Sequence, residues 1–318
     1  MDKVSVLMPT YNVERYIEKA VKCILNQTYK NIELIIVDDC SSDKTYEILR
    51  QLSEIDERIK LFRNVENKKI CYTLNEALRN STGKYILRMD GDDLCELDRI
   101  EVQLKFLIDN PNIDLVGTST ISIDENDNKI STMKMIGSYK NLKKILLIAT
   151  PVLHIWMARR EVYESLNGYR EIPYVEDYDF LLRMNAKGYK FCNISEYYGY
   201  SVRKRQGNTV SSVGLKQRKA FNYVRKLYKE RLRKGYDSFD ENSYTKAIMV
   251  KKRELIKYNK SLEFLEKAII YKSDKNLIWV LYILKSILTS KYQSVYILRS
   301  FILRFYSRII NLIELERG

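Results

Sequence analysis

Short apolar runs alternate with helix-periodic segments through the first 120 residues of the chain. The runs predict four strands, at 3–8, 32–38, 58–63 and 84–89. Apolar positions spaced three or four residues apart predict helices at 13–26, at 44–55, and through Leu74 to a C-cap near Gly83. Repeated strand–helix–strand units favour right-handed crossovers. We therefore predict an α/β fold with a Rossmann-like, mostly parallel sheet flanked by helices.

The pattern after residue 93 is less regular and ends in a helical region. It predicts helices at 97–108 and 175–186, strands at 113–119 and 189–194, and a hairpin at 123–130. From about Leu215 the pattern is almost wholly helical. We predict a domain at 1–210 that carries the sheet and an α-helical C-terminal region at 211–318.

The positive charge of the chain is concentrated in its C-terminal third. The net charge is +14, and residues 201–318 hold 27 basic and 10 acidic residues, so the rest is slightly acidic. Between 295 and 313, a narrow polar face (Ser300, Arg304, Ser307, Arg308, Asn311) interrupts an otherwise apolar helix. This pattern suits burial in a helical subdomain or a position in an anionic membrane surface, and both alternatives stay open.

Other sequence features favour a cytoplasmic protein. The five cysteines are scattered without a CxxC pair, which favours a reducing compartment. The start MDKVSVLMPTYN does not read as a signal peptide, and no run reaches the ~18 apolar residues of a membrane span. We expect a soluble or peripheral protein.

Polar residues follow three of the predicted strands, at the edge where parallel sheets bind ligands. The first strand leads into Pro9-Thr10-Tyr11-Asn12, whose aromatic ring and polar neighbours suit a nucleotide base. The second ends in Asp38-Asp39, and the fourth ends in Asp90-Gly91-Asp92-Asp93. No GxGxxG follows any of these strands.

The three carboxylates at 90–93 indicate a cation site. Like charges this close repel and raise one another's pKa, and a divalent cation removes the conflict. Aspartate oxygens suit Mg²⁺ or Mn²⁺, which can bridge the phosphates of a nucleotide. A second Asp-x-Asp occurs at 177–179, so the position after a strand, rather than the match itself, makes the first one informative.

Four segments in this order, VSVLMPTYN, IELIIVDDCSSD, GKYILRMDGDD and EDYDFLLR, resemble the family 2 glycosyltransferases of bacterial surface polysaccharides, which have the GT-A fold. The resemblance implies inverting transfer of a hexose from a nucleotide sugar, most readily a UDP-sugar. The acceptor would be a saccharide or an undecaprenyl-diphosphate-linked saccharide in O-antigen or capsule assembly. The enzyme would then work at an anionic membrane surface, on the inner face of the bacterial plasma membrane, and would not bind nucleic acid.

The resemblance also implies roles for individual residues. Asp177 would be the catalytic base, and Asp92 with Asp93 would hold Mn²⁺ or Mg²⁺. The residues implied at the nucleotide are Pro9, Tyr11, Asn12, Asp39, Asn67, Arg88 and Asp90. Glu176, His154 and Trp156 are candidates for the acceptor side, although core roles are open for His154 and Trp156.

The chain departs from the family pattern around the phosphates. Lys69 stands where the family often has Gly, and the family's Arg near Leu74 is missing. Lys69 or Arg88 could supply a cation instead, and Arg203-Lys204-Arg205 could either close over the diphosphate or remain a solvated loop.

Two other functions are compatible with parts of the sequence. A sugar nucleotidyltransferase would need the same metal but would release pyrophosphate from a nucleoside triphosphate. A nucleic-acid-binding protein would account for the basic region, yet the basic residues there alternate with Leu and Ile.

Overall fold

The computed structural model describes residues 2–205 and 214–315, and two sheets organise the first range. The seven-stranded sheet contains β1 (Val4–Thr10), β2 (Ile32–Asp38), β3 (Ile59–Arg63), β4 (Tyr85–Arg88), β6 (Leu115–Thr118), β9 (Met157–Arg159) and β10 (Phe191–Ile194). Its order is β10-β6-β9-β4-β1-β2-β3. The four-stranded sheet contains β5 (Leu94–Cys95), β7 (Thr120–Ile123), β8 (Lys129–Met133) and β11 (Tyr200–Arg203), in the order β5-β11-β7-β8.

Twelve helices occur among the described residues. Seven accompany the sheets: α1 (Ile17–Leu25), α2 (Thr45–Ile55), α3 (Lys69–Arg79), α4 (Arg99–Asp109), α5 (Tyr139–Ile145), α6 (Arg160–Leu166) and α7 (Glu176–Ala186). Five form the C-terminal region: α8 (Gly214–Lys234), α9 (Glu241–Ile248), α10 (Lys252–Ser273), α11 (Ile278–Thr289) and α12 (Lys291–Leu315). The predicted α/β body and helical C-terminal region are confirmed, while the proposed boundary at 210 lies outside the described residues.

The central strands bring the predicted site segments to one edge. Every residue of β1 and β2 is buried, and Thr10 pairs with Asp38 where both strands end. Strand β4 pairs with the other side of β1, although β3 precedes it in the chain. The strand order therefore reverses at β1, which is where α/β sheets open a crevice for ligands.

One strand runs against the others and was not predicted. Strand β9 is antiparallel to both neighbours, β4 and β6. Residues that precede Met157 therefore lie at the edge where β4 ends, because Leu87 pairs with Met157. A strand of three residues is too short to show a period in the sequence.

The predicted C-cap at Gly83 is wrong. Helix α3 ends at Arg79 with Asn80 as its C-cap. A Cβ atom at Gly83 would lie 2.6 Å from the Ser5 backbone nitrogen and 2.8 Å from the Lys3 carbonyl oxygen. This glycine permits a close backbone approach to β1 rather than a helix end.

The C-terminal helices pack on the α/β body around α7. The Phe221 ring on α8 stacks on Tyr178 of α7, with centroids 4.1 Å apart. The Tyr228 hydroxyl donates to the Asn185 side chain at 2.6 Å, and the Tyr244 hydroxyl of α9 donates to the Pro173 carbonyl. These contacts join α8 to α7 and α9 to the segment that leads into α7.

Helices α11 and α12 expose a large part of their apolar surface. On α12, Ile297 and Ile310 are buried, but Leu298, Phe301 and Phe305 are exposed. The side chains of Ser307, Arg308 and Asn311 are outside what the structure describes. Helix α12 is thus partly packed against its neighbours and partly exposed to solvent. Burial in a helical subdomain and a position in a membrane surface both stay open for this segment. None of the helices in the described ranges is long and apolar enough to cross a membrane.

A buried carboxylate, Glu33 on β2, joins three neighbouring segments. It accepts hydrogen bonds from the Ser5 hydroxyl at 2.6 Å, the Gly83 backbone at 3.1 Å and the Lys60 ammonium at 2.6 Å. Burial alone would raise the pKa of Glu33, but the bonds from Lys60, Ser5 and Thr82 outweigh burial and lower the pKa to about 2. Ionised Glu33 therefore stabilises the fold above the unfolded-state pKa of about 4.3.

We expect Glu33→Gln to lower the free energy of unfolding by about 1–3 kcal/mol at pH 7, because the ion pair with Lys60 is lost and the other donors no longer bond to a charged acceptor. The wild-type advantage should shrink as the pH falls from about 4.3 toward 2. Urea unfolding at pH 7, 5, 4 and 3 measures it, and Glu47→Gln, an exposed change on α2, is the control. A difference that does not change with pH would contradict the assignment.

Candidate active site

The turn at 90–93 is pressed against the end of β1. A Cβ atom at Gly91 would lie 2.9 Å from the Thr10 methyl group and 3.1 Å from Ile17 Cδ1. Only glycine allows the turn to pack there without a shift of these side chains. The acidic side chains of the turn are therefore held beside the residues that follow β1.

Arg88 connects this turn with the first turn of α7. Its side chain is almost fully buried and donates to Asp90 at 3.0 Å and to Glu176 at 3.4 Å. Burial would raise the pKa of Asp90, but Arg88, followed by His154, holds that pKa well below its usual range. The pKa of Glu176 is raised, because burial and the neighbouring Asp177 outweigh Arg88.

His154 lies between Asp90 and Asp177. Its Nε2 atom is 2.9 Å from Asp90 Oδ2, and its Nδ1 atom is 3.9 Å from Asp177 Oδ2. Burial and Arg88 lower the pKa of His154, yet Asp90 outweighs them and raises it. The structure thus places this histidine among the predicted site residues, beside two carboxylates from different segments. Sequence reasoning could not decide this because the antiparallel direction of β9 brings it there.

The other two carboxylates of the turn have different surroundings. Asp92 is partly exposed and accepts a bond from Arg205 Nε at 2.8 Å. Asp93 is buried and accepts a bond from the Arg203 backbone at 2.7 Å. Burial, followed by the charges of Asp92 and Asp90, raises the pKa of Asp93 to about 8. The expected crowding of negative charge is therefore present in the turn.

The donor atoms of the turn fit a metal that is bound together with a nucleotide. Within residues 2–205 and 214–315, no three His, Cys, Asp or Glu side chains are grouped to hold a metal on their own. Mg²⁺ commonly uses one or two carboxylates and completes its coordination with substrate phosphates and water. Asp92, whose carboxylate is partly exposed, suits this arrangement.

The second Asp-x-Asp has a structural role at Asp179. This residue is buried and accepts a bond from Arg183 Nε at 2.7 Å within α7. Asp177, two residues earlier, is partly exposed, and its Oδ1 atom accepts a bond from the Tyr178 backbone at 2.7 Å. The two acids therefore face different environments, and the motif does not form a metal pair.

Asp39 shapes the loop that precedes α3. Its carboxylate accepts bonds from the backbone nitrogens of Lys68 at 2.7 Å and Lys69 at 2.9 Å, and from the Asn64 side chain at 2.8 Å. Lys69 has a φ angle of +69°, in the left-handed region that favours glycine. The lysine thus keeps the backbone conformation that the family's glycine would adopt freely.

The residues around Asp39 differ in their capacity to bind a ligand. Tyr11 is 47% exposed, and Asn67 Oδ1 is buried without a hydrogen-bond partner among the described residues. Pro9 is buried within β1, and Asn12 Oδ1 accepts a bond from the Ser42 backbone at 2.9 Å. Pro9 is therefore part of the strand, and Asn12 joins the segment after β1 to the segment after β2. Tyr11 and Asn67 have unused contact surface or bonding capacity.

The expectation that Trp156 contacts an acceptor sugar is wrong. Trp156 is fully buried, donates from Nε1 to the Tyr163 hydroxyl at 2.9 Å and stacks on Phe180 with centroids 5.7 Å apart. An indole enclosed on all sides cannot stack on a ligand. Its apolar neighbours Ile155 and Met157, which are also buried, were the sequence signal for a core position.

A cavity of about 270 Å³ lies beside Asp177, between α7 and the C-terminal helices. Its wall includes Tyr174 and Tyr178, and, from α8 and α12, Arg218 and Arg299. Sequence reasoning did not find this cavity, because nothing local shows which face of α8 or α12 meets α7.

Comparisons with known proteins agree with the fold and with the order of the motifs. The family model described as Glycosyl transferase family 2 matches residues 5–166. The putative glycosyltransferase EpsE of Bacillus subtilis is 38% identical over 64% of this chain and 73% of its own length. The O-antigen biosynthesis glycosyltransferase WbnJ of Escherichia coli is 31% identical over 62% of this chain and 78% of its own length.

A solved structure shows the same architecture. Residues 1–349 of S. aureus TarS, in complex with UDP-GlcNAc, superpose with a TM-score of 0.61 over 78% of this chain and 70% of that chain, at 20% identity. This likeness confirms the GT-A fold that the sequence predicted. With the family model and the two relatives, it leads to one conclusion: the chain is a glycosyltransferase and belongs to glycosyl transferase family 2.

Proposed function

We propose that the chain transfers a hexose, with inversion, from a UDP-sugar to a saccharide acceptor during assembly of a bacterial surface polysaccharide. The observation that carries the proposal is the meeting of Asp90, His154 and Asp177, which come from separate segments. Of the three, Asp177 also lines the cavity. The printed name of WbnJ supports the polysaccharide setting, and the UDP-GlcNAc complex of TarS supports the donor class.

Asp177 is the proposed base. Inversion requires one base that takes the proton of the acceptor hydroxyl while its oxygen attacks the anomeric carbon. The bond from that carbon to the phosphate oxygen breaks, and the nucleoside diphosphate leaves. One oxygen of Asp177 is held by the Tyr178 backbone, so the carboxylate is oriented at the cavity wall. His154 and Arg88 position the acids around it without touching the acceptor in this proposal.

The nucleotide would lie across the ends of β1, β2 and β4. The exposed ring of Tyr11 offers a surface for the base, and the unpaired Asn67 Oδ1 would accept a base N–H. Asp39 would act through the loop it holds, and Asp90 would lie nearest the ribose. Arg88 would act by positioning, since its guanidinium is already engaged by two carboxylates.

Asp92, with Asp93 beside it, would hold Mn²⁺ or Mg²⁺ at the diphosphate. When bound, the ion would neutralise the charge that develops on the leaving group. Arg205, which already lies at Asp92, would add its positive charge to the same region. Lys69 is exposed and could contribute in the same way.

A peripheral position on an anionic membrane, on the cytoplasmic side, would bring a lipid-linked acceptor to the cavity. Helix α11 and the residue before it expose four leucines at helical spacing: Leu277, Leu281, Leu284 and Leu288. The C-terminal region around them is strongly basic. An apolar face beside positive charge is typical of helices that lie in a membrane interface.

We expect Asp177→Asn to reduce hydrolysis of a UDP-sugar, in which water replaces the acceptor, by ~10²–10⁴-fold while UDP affinity changes little. The amide keeps the shape of the side chain but cannot take a proton. UDP release and calorimetric titration with UDP measure the two effects, and Asp109→Asn on the surface is the control. Full turnover in Asp177→Asn would remove the base assignment.

In the wild-type protein we expect Mn²⁺ to increase UDP affinity at least tenfold, or by about 1.4 kcal/mol. Asp92→Asn should abolish this increase. The loss follows because an amide is a much weaker ligand for a hard cation than a carboxylate. Calorimetry with UDP, with and without Mn²⁺, measures it, and the same titration with UTP tests the nucleotidyltransferase alternative. Unchanged Mn²⁺ dependence would place the metal elsewhere, and tight UTP binding with pyrophosphate release would revise the class.

The double change Leu281→Ser and Leu288→Ser should reduce binding to vesicles that contain anionic lipid at least tenfold, because two apolar side chains no longer enter the interface. Co-sedimentation with phosphatidylglycerol-containing and pure phosphatidylcholine vesicles measures it. Leu97→Ser, which removes an exposed leucine of the α/β body, is the matched control. If all three proteins sediment equally, the exposed face of α11 has another use.

A further inference from the structure

The cavity beside Asp177 has walls of two kinds. The α/β body contributes Asp177 and Tyr174, and the C-terminal helices contribute aromatic rings and two arginines. Its volume of about 270 Å³ is near the lower limit of small-molecule sites, ~300 Å³. A space of this size suits one sugar with a small substituent rather than several sugars.

The two arginines have no acidic partner among the described residues. The guanidinium of Arg218 lies over the Tyr296 ring, 3.4 Å from its centroid, and its Nε atom is buried without a hydrogen-bond partner among those residues. Arg299 donates to the Asn222 side chain at 3.1 Å. By contrast, Lys219, the residue that follows Arg218 on α8, is paired with Glu254.

The charges around the cavity are arranged asymmetrically. Among the described lining residues, Asp177 is the sole acid, and Arg218 and Arg299 are the two cations. Two partly buried guanidinium groups without a carboxylate favour an anion from outside the chain. One carboxylate satisfies one guanidinium fork, whereas a phosphate has enough oxygens for two.

We propose that the acceptor carries a phosphate group next to the sugar that is glycosylated, and that Arg218 and Arg299 bind this group. The inference rests on the proposed function, because it takes Asp177, which lines the same cavity, as the base. Tyr174 and Tyr292 would contact the faces of the sugar. The phosphate could belong to a lipid carrier or to a phosphodiester in a polymer, and the recognition chemistry is the same.

The test measures binding of simple probes to the full-length protein saturated with UDP and Mg²⁺, so that the donor site is filled. Ligand-observed NMR compares glucose 1-phosphate with glucose, and farnesyl diphosphate in detergent micelles represents the lipid source. We expect glucose 1-phosphate to bind at least tenfold more tightly than glucose. The double variant Arg218→Gln, Arg299→Gln should remove this difference.

Controls separate charge recognition from folding. Lys216→Gln removes an exposed charge from the same helix and should leave probe binding unchanged. Arg299→Gln alone loses the bond to Asn222 and the contact of the guanidinium with the Phe221 ring. It should weaken phosphate binding even if the double variant unfolds. UDP affinity should stay the same in every folded variant.

Each outcome bears on one proposal. Two results would overturn this inference, provided that UDP still binds. One is equal affinity of the wild-type protein for glucose and glucose 1-phosphate. The other is unchanged affinity of the arginine variants for glucose 1-phosphate. Failure of the wild-type protein to bind UDP would instead overturn the proposed function. Binding of glucose 1-phosphate or of farnesyl diphosphate that depends on the two arginines supports the inference. The probe that binds more tightly identifies the source of the phosphate.

Discussion

A single buried guanidinium, that of Arg88, ties the two halves of the candidate site together. It contacts Asp90, which follows β4, and Glu176, which begins α7. Arg88 and Glu176 are 88 residues apart in the chain. Breaking a buried ion pair by removing one partner typically costs ~3–5 kcal/mol, because the other charge stays buried. His154 extends the network from Asp90 to Asp177. The turn that would face the donor and the helix that carries the proposed base are therefore held as one unit.

Much of this arrangement could be predicted from the sequence, for a physical reason. Continuous apolar runs identify β1 and β2, and parallel strands necessarily bring the residues after them to one edge. The acids at 39, 90 and 92 were found in this way. The prediction did not depend on any side-chain contact.

The remaining features depend on long-range packing, which leaves no local period. The direction of β9 puts His154 into the site and Trp156 into the core, only two residues apart. Gly83 is required by contact with β1 rather than by a helix end. Arg218 and Arg299 line the same cavity as Asp177 only because α8 packs on α7 and α12 packs beside α8.

The segment before α7 is held from the C-terminal region. Tyr174 has a φ angle of +80°, and such strain in a tyrosine persists only where neighbours enforce it. Gln217 of α8 donates to the Tyr174 carbonyl at 3.2 Å, and Tyr244 of α9 donates to Pro173. The family model ends at residue 166, before this segment and before every C-terminal helix. If the cavity binds the acceptor, a lineage could keep its sugar donor and modify a new glycan by replacing only the C-terminal helices. Donor and acceptor preferences would then evolve as separable modules.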